Sequence, residues 1–63
     1  MTKKLLRLPH VKEAIGYSRS EIYRLIALGT FPRPVRIGDR AVAWDADEVQ
    51  AWIRSRIEAR KSA

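Results

Sequence analysis

Cysteine is absent from this 63-residue sequence, so neither a disulfide nor a thiolate metal site can hold the fold together. That absence fits a reducing compartment. The one histidine, His10, has no second histidine or cysteine with which to share a metal. It is expected to sit exposed in the first turn of a helix. The three glycines are isolated from one another, which excludes a glycine-rich phosphate loop. No apolar run approaches the ~20 residues of a membrane span, and no signal-peptide pattern opens the chain. The expectations are therefore a protein that is no enzyme, holds no cofactor or metal, and works in the cytoplasm away from membranes.

What is abundant is positive charge. Thirteen Lys and Arg oppose seven Asp and Glu, for a net charge of +6 and a pI near 10.6. Such an excess on a small surface favours a polyanionic partner. Arginine outnumbers lysine, and guanidinium makes the bidentate contacts that suit phosphate and guanine. One small core is all that this length allows, because a domain of this size buries only about 60% of the surface its unfolded chain exposes.

Hydrophobic periodicity divides residues 1–63 into the elements of one domain, with 1–4 and 61–63 expected to fray. Leu5 to Leu8 reads as a short edge strand, and Pro9 suits the first turn of a helix. Val11, Ala14 and Ile15 share a helical face, and Gly16 stops that helix. Ser18 starts a second helix with Glu21 three residues on, the spacing of a capping box. Ile22, Leu25 and Ile26 form its apolar face, and Gly29 ends it.

In FPRPVRIGDRAVAW, Pro32 and Pro34 exclude helix and Gly38-Asp39 reads as a two-residue hairpin turn. That turn pairs Ile37 with Arg40, Val35 with Val42 and Arg33 with Trp44, so Val35, Ile37, Val42 and Trp44 should face the core. Asp45 with Glu48 opens a last helix whose stripe is Val49, Trp52, Ile53 and Ile57. The expected fold is mostly α with a small β-hairpin: a winged helix-turn-helix.

If Ile22, Leu25 and Ile26 face inward, Arg19, Ser20, Tyr23 and Arg24 face outward near the N-terminus of the second helix. In helix-turn-helix proteins that end enters the major groove. Arginine can bond guanine N7 and O6, serine a base edge or phosphate, and tyrosine either. Tyr23 has the alternative of packing against the first helix, and Glu21 that of reading cytosine instead of capping. The hairpin arginines Arg33, Arg36 and Arg40 suit a wing on the minor groove or phosphates, although Arg33 could instead stack on Trp44. Arg54, Arg56 and Arg60 read as a solvated helix end, and both tryptophans as core.

The stretches G-x-S-R-S-x-I-Y-R-L-I, FP-x-P-V-R-I-G and E-V-x-A-W-I resemble the AlpA family of phage and prophage transcriptional regulators. These are MerR-like winged helix-turn-helix proteins related to excisionases. The similarity runs from Leu5 to Arg60. It implies DNA binding, with Ser18, Arg19, Ser20, Tyr23 and Arg24 in the major groove and the hairpin arginines on the wing. Lys12, four residues before the turn glycine, departs from the small residue that repressor-type helix-turn-helix proteins place there.

The function expected is a sequence-specific transcriptional regulator of double-stranded DNA, with 18–28 as recognition helix and 31–44 as wing. The alternatives are an excisionase that bends DNA and recruits an integrase, and a basic module that binds RNA or an acidic protein. A recombinase or RNA polymerase is the further partner considered. With the last helix's stripe used internally, the chain is expected to be a monomer in solution that binds DNA cooperatively.

Overall fold

The computed structural model of the chain describes residues 3–62, with the side chains of 3–60. Three helices and three short strands follow the order β1 (Leu5–Leu6), α1 (Leu8–Ile15), α2 (Arg19–Ala27), β2 (Val35–Arg36), β3 (Val42–Asp45) and α3 (Ala46–Ser62). The strands form one antiparallel sheet in the order β1-β3-β2. This is the winged helix-turn-helix that the hydrophobic pattern predicts, mostly helical with a small hairpin.

Each boundary has a local cause. Pro9 lies in the first turn of α1, where its missing N–H is no loss, and Gly16 ends the helix at φ 73°. Leu8, Val11 and Ile15 form the inward stripe of α1. Ala14, expected there, is exposed, and Leu8 belongs to the helix and not to β1. The Ser18 side chain caps α2 by accepting from the Glu21 N–H at 3.3 Å. Glu21 does not return the bond, so the second half of the expected capping box is replaced by a pair with Arg24.

At the far end of α2, Thr30 N–H donates to the Leu25 carbonyl and Gly29 N–H to that of Ile26. Gly29 stands at φ 77°. This is a full Schellman closure, which favours glycine because a Cβ strains the left-handed region.

The hairpin departs from expectation by one residue. Val35 pairs with Ala43 and Arg36 with Val42, and Ile37 N–H donates to the Ala41 carbonyl. The loop is therefore Gly38-Asp39-Arg40. A two-residue primed turn requires positive φ at Gly38, and only Gly16 and Gly29 have positive φ among the described residues. A one-residue slip reverses the faces of a strand. Trp44 and Val42 still point to the core, but Val35 and Ile37 turn outward at 46% and 45% exposure, beside Leu5 at 47%. Arg33 loses the place opposite Trp44, and Trp44 takes the Tyr23 ring as its neighbour instead.

Val11, Ile22, Phe31, Trp44 and Val49 make the core. Along α3, Trp52 and Ile53 pack against it, but Ile57 is exposed, so the stripe is only partly consumed. Asp45 caps α3 by accepting from the Asp47 N–H at 2.8 Å. Lys3 and Lys4, expected among the fraying residues, both have partners. Lys3 bridges Asp45 at 2.9 Å and Asp47 at 3.2 Å, and the Lys4 carbonyl accepts from Ala46. The helix continues through Ser62; the fraying expected at Met1, Thr2 and Ala63 lies outside the described residues.

Candidate nucleic-acid interface

At 100° per residue, burying Ile22 between Leu25 and Ile26 aims Ser20, Arg24 and Ala27 directly outward. All three are exposed. Serine and alanine are small, so little prevents a partner surface from approaching the guanidinium between them. Arg19 and Tyr23 run along one flank of that face and Glu21 along the other.

Both arginines of α2 have partners. Arg24 lies side-on to Glu21, with Nε donating to Oε1 at 3.2 Å and Nη2 to Oε2 at 2.9 Å. That hydrogen bonding, and then the charge of Arg24, lowers the Glu21 carboxyl below its ordinary value and raises the guanidinium in turn. Arg19 stands over the Tyr23 ring, 5.1 Å from its centroid. Tyr23 is half-buried and meets Trp44 edge-on at 6.2 Å. The expected alternative to a DNA contact is packing against α1; the ring packs against the core cluster that includes Val11 of α1, with Trp44 of β3 as its aromatic neighbour. Ser18 is exposed, with its hydroxyl oxygen engaged as the helix cap.

On the wing, Arg33, Arg36 and Arg40 are exposed. Arg36 Nη1 reaches the Asp39 carbonyl at 3.4 Å, a long bond across the loop. At the helix end, Arg56 lies over Trp52, 5.5 Å from the ring centroid, so it covers the indole as well as facing solvent.

The two indoles set the hairpin against the end of α2. Trp52 donates its N–H to the Thr30 carbonyl at 2.7 Å, and Trp44 donates to Pro32 at 3.0 Å. Between them Phe31 is buried, edge-on to Trp52 at 5.1 Å. Three consecutive linker residues are thus held. These bonds escape sequence reasoning because nothing in the spacing of Trp44 and Trp52 names a carbonyl partner. The Glu21–Arg24 pair could have been found from its i,i+3 spacing.

The described residues hold no group of three metal-ligating side chains and enclose no pocket. Among the described residues no helix is long and apolar enough to cross a membrane. What the arrangement offers is an exposed arginine-bearing helix face beside an arginine-bearing hairpin.

The family model of the prophage CP4-57 regulatory protein (AlpA) matches residues 4–57. The chain belongs to the AlpA family. A further relative is the uncharacterized protein ORF88 of Enterobacteria phage P4, 48% identical over 59 residues, which cover 94% of this chain and 67% of that protein. The match takes in α1, α2, the whole sheet and most of α3. This AlpA-family chain is therefore a phage-type regulatory protein.

Proposed function

We propose that this AlpA-family protein binds double-stranded DNA sequence-specifically and regulates transcription, with α2 in the major groove and the hairpin as wing. One observation carries the reading: Arg19, Ser20 and Arg24 stand exposed on the first two turns of a helix capped at both ends and packed by Ile22 into the core. A rigid helix with guanidinium groups on its N-terminal half suits base-edge recognition. Ser18 contributes through its cap and Tyr23 through the seat it gives Arg19. Arg33, Arg36 and Arg40 add attraction to phosphate across the neighbouring groove.

One such helix reads only a few base pairs, so specificity calls for copies side by side or for a partner protein such as a recombinase or RNA polymerase. Leu5, Leu28, Val35, Ile37 and Ile57 leave some apolar surface outside the core. Five partly exposed side chains still fall short of the ~800 Å² per partner of a standard interface. A monomer in free solution is expected, and sedimentation equilibrium at micromolar protein checks it.

Selection of duplexes from a random pool, followed by competition with RNA and heparin, tests the function. A DNA reader enriches one sequence family and holds that duplex against both competitors. Enrichment of nothing, with competitors ranked by charge alone, would make the chain a general polyanion binder. A sharp bend at the selected site, seen in permuted fragments, would move the reading to an excisionase-like role.

A further inference from the structure

Resting on the DNA-binding reading above, we propose that Glu21 is a positioning residue that reserves Arg24 for a guanine edge and keeps it off phosphate. A guanidinium has five N–H donors. Glu21 occupies the Nε–H and one Nη2–H, with both carboxylate oxygens engaged. The two Nη1–H groups and the second Nη2–H are left over. Those on the end edge of the fork point away from the carboxylate and form the pair of parallel donors that guanine O6 and N7 accept.

The same pair changes what Arg24 attracts. A free arginine binds phosphate as readily as a base, because its charge acts at a distance and its fork fits either acceptor. Beside Glu21 the positive charge is largely cancelled, and an approaching phosphate also meets a carboxylate. Guanine is neutral, so hydrogen bonding to its edge suffers little from that cancellation. Holding the guanidinium in place beforehand also reduces the side-chain freedom lost on binding.

Arg19 makes the contrast within the same helix. Its partner is the Tyr23 ring, which fixes the group but leaves its charge and donors uncompensated. The two arginines are thus seated by different chemistry, one suited to phosphate or base and the other to base alone. Folding does not require the Glu21 carboxylate. The pair is exposed on both sides, exposed pairs contribute little to stability, and the Ser18 cap uses only the Glu21 backbone N–H.

The test compares the wild type, Glu21→Gln, Arg24→Ala and the double variant. Each is titrated across a range of salt against a duplex selected from a random pool and against its scrambled counterpart. Thermal melting verifies that all four fold. Glu21→Gln is expected to bind the scrambled duplex more tightly, with a salt slope steeper by about 0.9, the value of one added phosphate contact. The selected-over-scrambled ratio should fall roughly tenfold, the scale of one lost base contact. In the Arg24→Ala background Glu21→Gln should leave the ratio where it was. An equal gain on both duplexes, or an equal drop in ratio with Arg24 absent, would overturn the proposal and leave DNA reading intact. If Arg24→Ala leaves the ratio unchanged, base reading by this arginine fails and the role of Glu21 fails with it.

Discussion

Helix α2 and the hairpin carry arginines in different states of restraint. On α2 each arginine has a partner, a carboxylate for Arg24 and an aromatic ring for Arg19, and the helix is closed by a serine cap and a Schellman turn. On the wing the ladder from β2 is two residues long, its Val35 and Ile37 face outward, and Arg36 has one long bond to a loop carbonyl. Held side chains lose less freedom on binding and can discriminate between acceptors. Loosely held ones supply attraction to any phosphate within reach. The comparison teaches that arginines of the same charge are set apart by what stands next to each guanidinium.

The largest expected effect comes from breaking both regions at once. Trp44 is fully buried, touches Tyr23 of α2 and donates to Pro32 before the wing. Trp44→Ala should destabilise by about 3–5 kcal/mol, a large part of the stability of so small a domain. Urea denaturation reads it as a lowered midpoint, and loss of the cooperative transition is an acceptable extreme. A change below about 1 kcal/mol would mean that the indole does not join the helix to the wing.

A smaller effect separates the two regions by their glycines. Gly29→Ala places a Cβ at φ 77° and should cost about 1 kcal/mol. Gly38→Ala meets only the Ala41 side chain at 3.5 Å, an ordinary contact, without positive φ. It should be neutral or slightly stabilising, since alanine narrows the unfolded ensemble. Melting temperatures of the two variants check this. A costly Gly38→Ala would restore the two-residue turn and return Val35 and Ile37 to the core.

The smallest effect concerns the two edges of the sheet, of which β1 is tied by charge. The hydrogen bond from Lys3, followed by that from the Asp47 backbone, lowers the Asp45 carboxyl below its ordinary value. Bonds to Asp45 and Asp47 raise Lys3 in turn. The lowered carboxyl contributes stability above the usual aspartate range and loses it as pH falls through the folded value. The raised amine contributes below the usual lysine range and loses it as pH rises through its folded value. Lys3→Met should therefore be less stable than wild type near neutrality, with the difference shrinking at both extremes. Denaturation midpoints across pH measure that difference. A pH-independent difference would mean that Lys3 acts by packing alone.

Much of this was legible because the signals were local. Gly16, Ser18, Gly29 and Asp45 mark boundaries by backbone and capping requirements that act within a few residues, and the helices lie where those residues put them. The hairpin was less legible. Gly38-Asp39 fits a tight turn by composition, and only the backbone conformation at Gly38 decides between a two-residue and a three-residue loop. One residue of difference sets Val35 opposite Ala43 instead of Val42 and leaves Val35 and Ile37 exposed. In the candidate interface, the exposure of Arg19, Ser20 and Arg24 followed from periodicity, whereas Tyr23, expected outward with them, is half-buried against the core. The partners did not, since the Tyr23 ring on Trp44 and the indole bonds to Thr30 and Pro32 join residues remote in sequence.

The division of labour between the two arginine sets is tested most directly by one salt titration on two duplexes, the selected sequence and its scrambled form. Wild type, Arg24→Ala, Arg36→Ala and Arg40→Ala are compared. Arg24→Ala should lose about 1–3 kcal/mol of discrimination between the duplexes, with little change in salt slope. Each wing substitution should weaken both duplexes alike and reduce the slope by about 0.9. Equal weakening of both duplexes by Arg24→Ala, or loss of discrimination from the wing variants alone, would contradict the account.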